Sequence, residues 1–121
     1  MLPAVFPILA GDSGVTGFIG TSPARVYRHG DAPQTVVAPY VTWFVVSGTP
    51  ENELDELPKV DNYTVQVDCW SDSDAEVEQM AAAVRDALEA EYHMTAVGPN
   101  GRDPETKRYR IGMSFTFWTS R

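Results

Sequence analysis

Cysteine, histidine and positive charge are all scarce in this chain, and each shortage closes a class of function. One cysteine, Cys69, stands among 121 residues, so no disulfide can form within one copy and no thiolate-rich metal site can be assembled. The two histidines, His29 and His93, lie far apart and make no zinc-ligand spacing with Cys69. Nine lysines and arginines face seventeen acidic residues, for a formal net charge of −8. Affinity for nucleic acid comes chiefly from cations, so this surface repels DNA and suits, at most, letting it pass. No apolar run approaches the roughly 20 residues needed to cross a bilayer. The apolar opening stretch 1–11 is interrupted by Pro3 and Pro7 with no Lys or Arg before it, unlike a signal peptide. The expectation is one soluble domain over residues 1–121, made in a reducing cytoplasm, with no membrane contact.

Catalytic signatures are missing in the same way. Gly11-Asp12-Ser13-Gly14 spells the surroundings of a serine-protease nucleophile, but both histidines follow it and the chain is too short for two barrels. A helix-capping turn accounts for the same four residues. The sequence has no Gly-x-Ser-x-Gly elbow. Gly98 and Gly101 lack the Lys-Ser/Thr of a phosphate loop. The acidic stretch 51–56 lacks the ligand spacing and central glycine of a calcium loop. No enzyme activity, cofactor or metal is expected.

What the sequence does contain is periodicity. In 107–120, Tyr109, Ile111, Met113, Phe115 and Phe117 share one parity, while Arg110, Gly112, Ser114 and Thr116 share the other, the pattern of a half-buried strand. Residues 61–70 alternate likewise, and Cys69 falls on the parity of Tyr63, Val65 and Val67, pointing into the core. The run 40–47 is almost wholly apolar and β-favouring, as in a strand covered on much of both faces. With 61–70 it reads as an antiparallel hairpin whose connection, 48–59, is long and acidic. Residues 25–28 suggest a short strand, 29–39 an irregular loop, 95–97 the start of another strand, and 98–104 a turn-rich loop.

The helical signals sit between these strands. Residues 4–10 and 13–19 suggest two short helices, with Pro3 suited to a first turn, Asp12 capping the second, and Gly11 and Gly20 closing them. Residues 71–91 suggest one long helix. Ser73 and Glu76 make a capping box, and Val77, Met80, Ala81, Val84 and Leu88 form one apolar stripe. The fold class expected is α+β, a mainly antiparallel sheet with one long amphipathic helix packed on it and short N-terminal helices.

Charge is distributed unevenly. Ten acidic residues lie between Glu51 and Glu78 against the single Lys59, whereas Arg102, Lys107, Arg108 and Arg110 cluster in a short stretch. Such charge is either solvated on exposed faces or forms opposed patches for a contact in which the acidic side of one copy meets the basic side of the next. Trp70 and Trp118 fall on the polar parity of their strands, where an interface tryptophan would stand.

Several short stretches together carry a family likeness: residues 25–34 (RVYRHGDAPQ), 39–41 (PYV), 45–50 (VVSGTP), 63–70 (YTVQVDCW), 101–106 (GRDPET) and 115–118 (FTFW). In this order, over nearly the whole chain, the sequence resembles the tail completion proteins of long-tailed bacteriophages and prophages, the small tail terminator or head-to-tail joining proteins. The resemblance implies a non-enzymatic virion component forming a ring, of six subunits, on the capsid-facing end of the tail tube. There it would end tube growth and offer a surface to the head connector or neck protein, while DNA passes through the lumen without specific binding. Assembly in the host cytoplasm would place the protein in the tail or neck of the virion. Candidate subunit or partner contacts are Glu51, Glu53, Asp55, Glu56, Trp70, Arg102, Lys107, Arg108, Arg110 and Trp118, with the acidic residues facing a neighbour's basic segment or lining the lumen. A small-molecule or peptide-binding module without catalytic activity is the alternative that the fold class allows.

Overall fold

A computed structural model describes residues 2–21, 23–50 and 60–120 of the chain. The elements run α1 (Val5–Ala10), α2 (Ser13–Ile19), β1 (Val26–Arg28), β2 (Tyr40–Pro50), β3 (Val60–Ser71), α3 (Asp74–Glu89), β4 (His93–Arg102) and β5 (Tyr109–Ser120). The strands form one sheet in the order β1-β2-β3-β5-β4. Only the short β1–β2 pair is parallel; the other pairs are antiparallel. The α+β class and the β2–β3 hairpin read from the sequence are therefore present.

Strand parity decides which face carries helices. Val65, Val67 and Cys69 of β3 and Met113, Phe115 and Phe117 of β5 are buried with Val77, Met80, Val84 and Leu88 of α3 and with Val5, Leu9, Val15 and Ile19 of α1 and α2. Phe115 and Phe117 are wholly inaccessible, and each such side chain contributes roughly 1.5–3 kcal/mol by leaving water. Cys69 is equally buried, and desolvation, reinforced by the negative charge of Asp68, pushes its thiol far above the ordinary cysteine range. The group therefore stays protonated at neutral pH, and thiolate is the reactive form. An aromatic disulfide reagent is expected to leave the native chain unlabelled at pH 8 and to label one thiol once denaturant unfolds it.

The helix starts follow the sequence, with one change of detail. The Asp12 carboxylate accepts a hydrogen bond from Val15 N at 3.1 Å, capping α2. At α3, Ser73 Oγ accepts from Glu76 N at 3.3 Å, but Glu76 does not return to the Ser73 amide. Instead the Ser71 hydroxyl donates to Glu76 Oε1 at 2.6 Å and accepts from Ser73 N at 3.1 Å, so the capping box closes through a third residue. Ser73→Ala removes one satisfied first-turn donor and is expected to cost about 1 kcal/mol in urea unfolding. In α1, Pro7 sits within the first turn, where its missing N–H would have had no helical partner; Pro3 lies outside the helix.

The largest departure from expectation is β4. Gly98 and Pro99 suggested a loop, yet the strand continues to Arg102, with register shifts between Met94 and Ala96 and between Val97 and Asn100. Gly98, at φ 140, forms part of the second irregularity, and its carbonyl is held across the sheet by Gln66 Nε2 at 3.0 Å. The turn itself is tight. Asp103 Oδ1 accepts from the amides of Glu105 and Thr106, and Lys107 adopts φ 63.

Candidate functional site

The sheet face away from the helices carries Trp70, Arg110 and Trp118 of the sequence-predicted contact residues, and register places the residues of this face in rows. Tyr40, Trp70 and Arg110 form one row, Thr42, Asp68 and Gly112 the next, and Phe44, Gln66 and Ser114 the third. In the first row Trp70 stands between its two partners. Its indole stacks on Tyr40, with centroids 6.1 Å apart and planes 12° apart, and the Arg110 guanidinium lies 5.2 Å from its ring centroid. Trp70 Nε1 donates to Thr42 Oγ1 at 2.9 Å. Tyr27 of β1 completes the line with an edge contact to Tyr40 at 6.2 Å.

Polar groups on this face are unusually buried. Asp68 is 3% exposed and Gln66 8%. Asp68 Oδ2 accepts from Arg110 Nη2 at 2.8 Å, and Asp68 Oδ1 accepts from Gln66 Nε2 at 2.8 Å. Gln66 Nε2 also donates to the Gly98 carbonyl, while its Oε1 accepts from Ser114 Oγ at 2.9 Å. Four strand residues and one backbone carbonyl thus satisfy one another over Gly112. A Cβ on Gly112 would lie 2.5 Å from Gln66 Nε2, 2.6 Å from Gly98 O and 2.7 Å from Asp68 Oδ1, so the network exists because position 112 has no side chain. Arg110 Nε is buried without a hydrogen-bond partner.

The basic segment divides into committed and uncommitted cations. Arg108 donates to Tyr40 Oη at 3.3 Å and to Val36 O at 3.2 Å, and its Nε lies 3.5 Å from Asp72 Oδ1. Arg110 is committed to Asp68 and Trp70. Arg102 donates from Nε to the Lys107 carbonyl at 2.8 Å and covers the Tyr109 ring at 5.0 Å, which leaves both Nη nitrogens without acceptors in the described chain. Lys107 is exposed in the turn. Trp70, Arg102, Arg110 and the 99–104 segment enclose a cleft of about 240 Å³. Trp118, 43% exposed, lies at the opposite end of the same face, beside Asn62. Glu51, Glu53, Asp55 and Glu56 lie outside the described residues.

The structure thus brings Trp70, Arg102, Lys107, Arg108 and Arg110 to one end of the molecule and separates Trp118 from them. It adds Asp68, Gln66, Ser114 and Gly112, which the sequence reading left out. Their signal was available: two polar residues on one parity of a long strand, and a glycine inside another, where close approach of a neighbour is the usual reason. Elsewhere, His29 and His93 are exposed at separate strand ends, and Asp12 next to Ser13 does the work of a helix cap.

Residues 3–120 match the family model described as tail completion protein gp17. No curated protein matches the sequence. Among solved structures, a chain of the "Virion of native gene transfer agent (GTA) particle" is similar, with a TM-score of 0.72, 20% identity, and coverage of 98% of this chain and 92% of that one.

Proposed function

Because the chain belongs to the tail completion protein gp17 family and so is a structural protein of the virion tail and neck, we propose that it caps the capsid-facing end of the tail tube. In this reading copies assemble head to tail into a ring of six, end tube polymerisation, and present a surface to the head connector or neck protein. DNA crosses the lumen without specific binding, and the protein catalyses no reaction. The observation that carries the reading is the family match over nearly the full chain, and a fold shared over 98% of the chain with a component of a GTA particle supports it.

The placement of the strand ends also supports it. The last described pair of the long β2–β3 hairpin, Pro50 and Asp61, lies beside Thr119 and exposed Trp118 at the end opposite the arginine cleft. Copies laid end to end would bring that end of one against the cleft of the next, a contact between unlike surfaces such as a heterologous ring needs. No helix among the described residues is long and apolar enough to cross a membrane.

Deleting the gene from a producing phage or particle tests this directly. The expected products are tubes of unregulated length beside filled, tailless heads, with complementation by the intact gene restoring joined particles. Normal tubes joined to heads in the deletion would sink the proposal.

A further inference from the structure

Resting on the ring reading above, we infer that the cleft of Trp70, Arg102 and Arg110 in one copy receives the acidic C-terminal turn of α3, Glu89 and Glu91, from the next copy. The C-terminal end of α3 departs from the usual charge pattern of a helix. A helix C-terminus carries partial negative charge, which favours basic residues in the last turn and disfavours acidic ones. Yet α3 has no basic residue in its last turn, ends on Glu89, and is followed by exposed Glu91. Arg85, one turn earlier, is shared between Asp86 at 3.1 Å and Glu89 at 3.8 Å, exposed contacts that hold little. Glu91 has no side-chain partner among the described residues. A violation of local rules at a surface is where a contact outside the chain is expected.

The cleft supplies the complement. Among the described residues neither Nη of Arg102 has an acceptor, Lys107 is exposed in the same turn, and Trp70 lines the space with Asp103, whose Oδ1 is taken up by the amides of Glu105 and Thr106, so a carboxylate on a short side chain can be gripped by the Arg102 guanidinium. The two surfaces also sit where a repeating contact needs them. Ser71, just before α3, pairs with Tyr109 at the cleft end of β5, whereas Tyr92, just after α3, stacks on Phe117 at 4.0 Å near the other end. The 16 residues of α3 therefore separate acid from cleft by about 24 Å along the helix axis. Glu89 and Glu91 thus cannot reach the cleft of their own copy, and the contact between copies is heterologous, closing into a ring when the rotation allows. The acids at the helix start belong to the cleft's own end of the chain: Asp72 faces Arg108, Glu76 accepts from Ser71, and Asp74 lines the space beside Arg102 and Tyr109 without an ion pair to Arg102.

Charge exchange tests the contact, with solution mass and imaging of tube ends as readouts. Glu91→Arg lies at an exposed site without internal partners, so folding is retained, and a melting curve matching wild type documents this. The expected result is loss of rings in Glu91→Arg and in Arg102→Glu, and their return when both changes are combined in one chain. If wild type assembles and Glu91→Arg assembles equally well, or if the double variant does no better than the singles, the contact is overturned while the ring stands. If Arg102→Glu self-assembles normally but no longer caps tubes, the cleft takes a different virion protein and the assignment to a second copy fails. A wild-type chain that stays monomeric even with tubes present overturns the ring reading and this contact with it.

Discussion

Gly112→Ala is expected to destabilise the chain by roughly 3–5 kcal/mol, the cost of overpacking joined to that of a broken buried polar network. The added methyl meets three atoms at 2.5–2.7 Å, and none of the three can yield cheaply. Gly98 O is backbone, fixed in the irregular stretch of β4. Gln66 Nε2 is shared between Asp68 and Gly98, so moving the amide breaks both bonds. Asp68 is the carboxylate that accepts from Arg110 among the described residues, and a displaced Asp68 loses its cation. The measurement is equilibrium unfolding in urea, monitored by Trp70 and its two companions. The midpoint should fall sharply with an unchanged slope. Because the lesion lies on the face away from the helices, far-UV circular dichroism before the transition should match wild type. A loss below 1 kcal/mol would mean that β4 can swing aside and that Gly98 is not held by Gln66.

Arg110→Met tests the second half of the same network. The substitution keeps an unbranched chain against Trp70 but leaves the Asp68 carboxylate, 4% exposed in its side chain, without a cation. Removing one partner of a buried pair costs about 3–5 kcal/mol, because the surviving charge remains desolvated. Arg110 is partly exposed and its Nε is unsatisfied, which moves the expectation toward the lower end, about 3 kcal/mol. Combining Arg110→Met with Asp68→Leu removes both charges and should recover much of that loss. If the double variant is no better than the single, the role of Arg110 is its contact with Trp70 and Tyr40 rather than its charge.

These two predictions centre on residues that the sequence displayed without explaining. Alternation in β3 and β5 was readable because one face meets α3 and the other does not, and a period of two records that asymmetry directly. The caps at Asp12 and Ser73 were equally legible, since each is a local bond within three residues. The course of β4 was not. A Gly-Pro pair normally ends a strand, whereas here the β5 ladder on either side and a bond from Gln66, 32 residues away in sequence, hold Gly98 in place. The basic segment shows the same limit. Four cations in a short stretch look like one outward patch, but Asp68 and Asp72 fold back onto Arg110 and Arg108. Sequence spacing cannot report that neutralisation, because the partners come from another strand and from the turn before α3. What remains for an outside partner is narrower than the sequence suggested: Arg102, Lys107 and the cleft beside Trp70.

A ring on the tube has a mass and a position that can both be measured. Its most direct test is the solution mass by light scattering of the chain alone and mixed with its matching tail tube protein, followed by electron microscopy of any large species. The expected result is a closed assembly, on the order of 80 kDa for six copies of the 13.3 kDa chain, or a cap visible at one end of each tube with tube growth arrested. A strict monomer that ignores tubes, while tubes lengthen as they do without it, would contradict it.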